Sequence, residues 1–311
     1  MQTIHFVEHK NIDKVKWDNC IKNAFNGNAY AWSWYLDIVH PNWDALIDED
    51  YRTVFPLTGK KKHGIWYLFQ PFYAQQLGVF SQNWLNENII ESFIHKIPDQ
   101  YRFAEIRLNI HNKVPENLGV VAWHRNMELD LVQSYDKIAE NYHSNTKRNL
   151  KKAQQAKLKI IKNSNPDTII ELFRANRGRT VSHWNDQEYS RLKYLTQIAL
   201  SRNQATVLGV SDESNEICAG AIFIQSNNKI IFLFSGANQT AHKKHAITFL
   251  IDYMIQKNAQ TPLIFDFEGS DNKNLARFYK GFGSSEVFYP SIKINRLSFL
   301  GRIALRIIKR K

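Results

Sequence analysis

From Pro262 to Gly283 the chain runs Pro-Leu-Ile-Phe-Asp-Phe-Glu-Gly-Ser-Asp-Asn-Lys-Asn-Leu-Ala-Arg-Phe-Tyr-Lys-Gly-Phe-Gly, and no other stretch limits the choice of fold as strongly. Leu263 to Phe267 is a short apolar run bounded by Pro262 and Gly269, the pattern of a strand buried on both faces. Asp266 and Glu268 interrupt it. A two-residue period sends both carboxylates to one side of the sheet, near the C-terminal end of the strand, where open α/β sheets place their ligands. From Asp271 to Lys280 the period becomes helical, with Leu275, Phe278 and Tyr279 on one face and Gly281 and Gly283 supplying the stop.

The rest of the chain supplies a sheet for that strand twice over. In the first half, residues 3–8 read as a strand, and Asp13 caps a helix reaching residue 24 with Val15 and Ile21 inward. A helix follows over 32–39, then strands over 43–47, 51–57 and 65–69, the last two joined by the turn Gly59-Lys60-Lys61-Lys62-His63-Gly64. A helix over 85–97 and strands near 103–109 and 119–129 complete this half. The second half repeats the order of elements: a strand over 158–162, a helix to about 176 capped by Asn165 with Pro166 in its first turn, and a helix over 186–200. Strands over 205–210, 217–225 and 229–235 come next, then a helix over 242–257, the strand at 263–268, the tyrosine helix and a last strand near 286–294. Two domains, 1–133 and 134–311, follow from this repeat.

Between the elements lie four segments with chemistry of their own. The loop Gln70 to Phe80 is aromatic and amide-rich, and its Gln75 and Gln76 are either packing or a substrate wall. The helical stretch from Ser134 to Ala156 carries Lys147, Arg148, Lys151 and Lys152, with Lys157 just beyond; Arg148, Lys151 and Lys152 share one face, where like charges cost stability unless water or an anion takes them up. After the strand at 229–235 comes Gly236-Ala237-Asn238-Gln239-Thr240-Ala241-His242-Lys243-Lys244-His245-Ala246, at the start of a helix, a place that favours phosphate. His242 and His245 have no third ligand near them in sequence, so no metal site is expected. The tail 297–311 alternates apolar and basic residues as an amphipathic helix, either docked with its charges in water or lying on an anionic leaflet.

The excess of 41 Lys and Arg over 29 Asp and Glu, a net charge of +12, favours a polyanionic partner. Two cysteines, Cys20 and Cys218, give no disulfide framework. The first residues lack the order of a secretion signal, and no apolar run approaches the ~20 residues of a membrane helix, so a cytoplasmic protein is expected.

The Asp271 to Gly283 segment resembles the C-terminal signature of the GNAT acyltransferases: Asn272, Leu275, Tyr279 and Gly283 match, with Leu275 replacing the usual alanine. The Asp-Phe-Glu-Gly-Ser that precedes it is similar to the FemABX aminoacyltransferases, peptidoglycan-bridge enzymes with two GNAT-like folds in one chain. The Lys147-Arg148-Asn149 and Lys151-Lys152-Ala153 pattern and the Gln75-Gln76-Leu77-Gly78 tetrad resemble segments of the same subset. The resemblance implies an α/β fold (α+β by some schemes) of two tandem GNAT-like domains, mixed central sheets flanked by helices. It implies acyl or aminoacyl transfer to an amine or hydroxyl of a phosphorylated or lipid-linked envelope or polysaccharide precursor, with acyl-coenzyme A or aminoacyl-tRNA as donor. Tyr279 would protonate the leaving group, and Asp266 or Glu268 would act as base. Asn272, Gly236, Lys243, Lys244, His245 and Ala246 would hold the donor; Arg148, Lys151, Lys152, Gln75, Gln76 and Arg277 would hold the substrate. The segment at 236–246 departs from the phosphate fingerprint Gln/Arg-x-x-Gly-x-Gly/Ala, because Ala241 and Lys244 replace the Gln/Arg and the first Gly. The rival expectation is a binding protein that holds a phosphorylated glycan, lipid or RNA without turnover.

Overall fold

The computed structural model describes residues 3–48, 50–115, 118, 121–181, 184–269, 271–299, 301 and 302. Contacts divide the chain into two units, Met1–His124 with Phe288–Lys311, and Arg125–Val287. Against the expected 1–133 and 134–311, the last strand lies with the first unit, Ser291 to Asn295 antiparallel to Arg107 to Phe103, and Glu128 to Asp130 lie with the second, antiparallel to Asp266 to Ile264.

Unit 1 opens with β1 (Ile4–Val7), α1 (Lys14–Asn23), α2 (Ser33–Val39), β2 (Asp44–Asp48), β3 (Thr53–Leu57), β4 (Gly59–Lys62) and β5 (Ile65–Phe69). It continues through β6 (Phe80–Ser81), α3 (Glu87–His95) and β7 (Tyr101–Arg107). One sheet has the order β1-β2-β3-β6; in a second, β4, β5 and β7 lie side by side with the last strand. Asp13 caps α1 as expected, accepting from the N–H groups of Val15 and Lys16. Ile21 faces the core as expected, together with Trp17 and Cys20, whereas Val15 is 82% exposed. The lysine-rich stretch expected to be a turn is the edge strand β4, where lysines keep a free edge from pairing further.

Unit 2 takes the chain from within β8 (Val121–Asp130) through α4 (Tyr135–Glu140), α5 (Ser144–Gln155), β9 (Lys159–Lys162), α6 (Pro166–Ala175) and α7 (Asp186–Ser201). There follow β10 (Ala205–Ser211), β11 (Ile217–Ser226), β12 (Lys229–Ala237), α8 (Gln239–Lys243), α9 (Ala246–Asn258), β13 (Ile264–Asp266), α10 (Lys273–Lys280) and β14 (Ser285–Asn295), which leads back to unit 1. The strand order β8-β13-β12-β11-β10-β9 is mixed: β13 runs parallel to β12, and its other neighbour β8 is antiparallel. The two helices expected over 134–156 and 242–257 are each broken in two, at 141–143 and at Lys244-His245.

One face of this sheet packs α5, α9 and α10 over a core that includes Met127, Phe223, Phe232, Leu250, Phe265, Phe267 and Phe282. The other face carries α6 at close range, because Gly209, Gly220 and Gly236 are cross-strand neighbours on β10, β11 and β12. A Cβ on Gly236 would lie 2.2 Å from the carbonyl oxygen of Ile169 and 2.8 Å from the nitrogen of Phe173, both in the α6 backbone. Gly236→Ala is therefore expected to lower the unfolding free energy by about 3 kcal/mol, read by urea denaturation, since a helix backbone cannot step aside as a side chain can. An unchanged midpoint would mean that α6 stands further off.

Candidate functional site

The strands β12 and β13 pair only from Lys229↔Ile264 to Ile231↔Asp266, and beyond that point they part. The edge of β12 from Phe232 onward has no strand partner on that side among the described residues. A bulge falls at the same place: Ile222 pairs with Phe234 and Phe223 with Phe232, so Leu233 is an extra residue that turns the strand. A wedge therefore opens between the two strands, with unspent backbone donors and acceptors along one wall.

Tyr279 stands at that wedge. Its ring lies 4.8 Å from that of Phe267 on the departing β13 side and 6.3 Å from that of Phe232 on β12. It is 6% exposed, so the ring is core material as well as a wall of the wedge. Burial, and next the charge of Glu268, push its phenol above the usual tyrosine range, which keeps the proton on at neutral pH. The phenol makes no hydrogen bond to a described residue.

The two carboxylates do not share a face as expected. Phe265 and Phe267 lie in the cluster with Tyr279, so strand alternation sends Asp266 to the opposite side. There Asp266 is 2% exposed and accepts from Asn126 Nδ2 at 3.0 Å. Lys229 Nζ lies 3.5 Å from it and also pairs with Glu128, the cross-strand neighbour of Asp266. Asp266 is a structural anchor of this buried group, which the sequence did not reveal because its members come from three separate strands. Its Oδ1 also accepts the N–H of Glu268 at 2.8 Å. That bond shapes a turn in which Glu268 (φ 56°) and Gly269 (φ 38°) both adopt the left-handed conformation, breaking the alternation and bringing the half-buried Glu268 close enough to act on the Tyr279 phenol. The turn is pinned to β8: Phe267 N–H donates to Met127 O at 3.0 Å, Arg125 N–H to Asp271 Oδ1 at 3.2 Å, and a Cβ on Gly269 would strike Arg125 O at 2.3 Å.

Asn272 caps α10, accepting from the N–H groups of Asn274 and Leu275. Leu275, expected inward, is 40% exposed; Ala276 takes the buried position. Arg277 is exposed and pairs with neither carboxylate. Gly236 lets α6 pack closely, and Lys244 lies 3.6 Å from Asp212. Lys243 is exposed.

His245 sits in the left-handed region (φ 55°, ψ 37°), where turns favour glycine, and no side chain caps α9, whose first residue is the buried Ala246. Burial lowers the His245 pKa, and the charges of Lys152 and then Arg148 lower it further. The charges of these two residues of α5 thus reach the start of α9, which no side chain caps, an electropositive setting for an anion. Lys151 is exposed on the same helix. Gln76 belongs to packing: 4% exposed, it takes the N–H of Ile110 on its side-chain oxygen and donates to Gln75. Among the described residues no group of three or more His, Cys, Asp or Glu could hold a metal, and no helix is long and apolar enough to cross a membrane. Residues 300 and 303–311 of the expected tail helix, and Ser270, lie outside the described residues.

No protein-family model matches the sequence, and no curated protein does. Solved structures do match in fold. FemX aligns with a TM-score of 0.66 at 11% identity over 90% of this chain and 96% of its own. The C-terminal domain of a candidate lysylphosphatidylglycerol synthetase from Agrobacterium fabrum gives 0.58 at 9% identity, over 94% of this chain and 95% of its own. L-PGS from Bacillus licheniformis gives 0.55 at 11%, over 96% of each. The chain has the mixed α/β, tandem GNAT-like fold of FemX.

Proposed function

We propose that the protein is an acyl- or aminoacyltransferase of the FemABX type, acting on an amine or hydroxyl of a phosphorylated or lipid-linked precursor of the cell envelope or of a polysaccharide. One observation supports this: the buried phenol of Tyr279 stands beside the point where β12 and β13 part, within reach of the charge of Glu268. In acyl transfer a base takes the proton of the attacking amine or hydroxyl and an acid returns one to the leaving group. Glu268 suits the first task and Tyr279 the second. The acyl carbonyl would lie along the unpaired edge of β12, whose backbone N–H groups suit developing negative charge. The anionic part of the donor, a coenzyme A pyrophosphate or the backbone of an aminoacyl-tRNA, would meet the start of α9 with His245, Arg148 and Lys152, with Lys151 and Lys243 as outlying charges. The fold shared with FemX and with lysylphosphatidylglycerol synthetases supports aminoacyl transfer. The basic tail 297–311 would rest on an anionic leaflet.

The occupied Gly236 and the paired Lys244 favour a second reading, a binder of a phosphorylated glycan, lipid or RNA that turns nothing over. Thermal unfolding decides between them. Acetyl-coenzyme A or an aminoacyl-tRNA is expected to raise the melting temperature by several degrees, and an Arg148→Ala, Lys152→Ala double variant should lose most of the rise. If neither donor shifts the transition while an anionic glycan or lipid does, the binder stands and the transferase falls.

A further inference from the structure

Three loops of unit 1 are bolted together by buried asparagines. Asn26, Asn109 and Asn112 are 4%, 2% and 1% exposed and sit in the loops that follow α1 and β7. All three donate to one carbonyl, that of Val79, at 2.8, 3.2 and 2.9 Å. Asn26 Oδ1 accepts the N–H of Ser81, Asn112 Oδ1 that of Val79, and Asn109 Oδ1 that of His111. Buried amides are costly unless every group is matched, and a matched network holds its members in one geometry.

The outer side of this bolt carries three aromatic rings. Phe25 adjoins Asn26, Trp84 follows the β6 segment, and His111 lies between Asn109 and Asn112. Trp84 stacks on Phe25 with ring centres 5.1 Å apart and 25° between planes, and His111 meets Phe25 edge-on at 5.5 Å. Phe25 is nevertheless 40% exposed and Trp84 76%. An indole supported on one side by a phenyl ring, with most of its surface in water, does little for stability. Holding it in place with buried amides makes sense when something binds to it.

We infer that Phe25, Trp84 and His111 form a preorganised platform for a pyranose ring of a glycan. The apolar C–H face of a pyranose carries slight positive charge and matches the negative face of an indole. The exposed amides of Gln82 and Asn83 beside the platform both donate and accept, as sugar hydroxyls require. None of the residues that build the platform is a lysine or arginine, which a phosphate-bearing ligand would call for. The apolar surface is two or three rings wide and rimmed by amides, too small a patch to seat on a lipid surface. The platform lies wholly within unit 1 and stands whether or not unit 2 catalyses transfer.

The test uses the full chain labelled with fluorotryptophan and followed by fluorine NMR, the Trp84 signal being assigned by its loss in Trp84→Phe. Chitotetraose or cellotetraose should shift that signal saturably and leave the buried indoles unmoved. By calorimetry, Trp84→Ala should bind the same oligosaccharide about tenfold or more weakly, with an unchanged melting temperature, as an exposed anchor does. Trp84→Phe should retain part of the affinity. The inference is overturned if neither oligosaccharide moves the signal, if adenosine monophosphate or phosphatidylglycerol vesicles move it and the sugars do not, or if Trp84→Ala binds as well as the parent.

Discussion

Tyr279→Phe should lower the turnover number by about 10²- to 10⁴-fold with the donor that stabilises the protein, the range expected when a positioned proton donor is removed. The change removes one oxygen and keeps the ring that packs between Phe267 and Phe232, so the fold should persist. No described residue loses a hydrogen-bond partner. Because the phenol would act on the leaving group only as it departs, KM should stay near the parent value while kcat falls. Burial and the nearby Glu268 hold the phenol above its usual range, so the parent protein should show no loss of the proposed activity from ionisation of this group up to about pH 10. Release of thiol from acyl-coenzyme A, or of free tRNA from its aminoacyl form, measures the rate. A kcat unchanged in the variant would remove Tyr279 from the chemistry and leave it as a core residue.

Lys229→Met should destabilise unit 2 by about 3–5 kcal/mol at neutral pH, the cost of leaving buried charges without their counterion. The lysine stands between Glu128 and Asp266, whose side chains are 10% and 3% exposed. Its own pKa is lowered by burial but raised by more through Asp266 and Glu128, so it is charged in the fold. Burial and then the charge of Asp266 hold the Glu128 carboxyl above its usual range, with Lys229 opposing them. A carboxyl raised in this way contributes stability that is complete below its unfolded pKa of about 4.3 and is lost as pH rises through the folded value. Without Lys229 the folded value moves further up and the window widens. The deficit should therefore be largest at neutral pH and shrink toward about pH 5, as Glu128 takes up a proton. Urea denaturation at both values measures it, and a deficit that is the same at both would mean that the lysine serves only to fill space.

What the sequence disclosed was local. The Asn165 cap with Pro166, the apolar runs and polar turns of β10 to β12 and the helical period around Tyr279 are each written within a dozen residues, so the element order and the GNAT-like fold could be read from them. The electropositive start of α9 was half legible: the basic run of α5 was visible, but its approach to His245 depends on two helices about a hundred residues apart in sequence. The separation of Asp266 from Glu268 was not legible. Alternation places them together, and only a hydrogen bond from the Glu268 backbone to Asp266, with two left-handed residues held against β8, parts them. The packing of Gly236 against α6 was not legible either. A glycine at the end of a strand looks the same whether a ligand or the protein's own helix comes close to it.

The row of Gly209, Gly220 and Gly236 has a consequence for how unit 2 can yield. Strand centres without side chains have little to hold them in line, so the β10 to β12 meander keeps its alignment through α6, and the two must open together or not at all. β13 is tethered differently, by three residues on each side. With both of its ends fastened to β8, β13 can draw away from β12 only together with that strand, so any widening of the wedge past Phe232 and Phe267 is a movement of the pair.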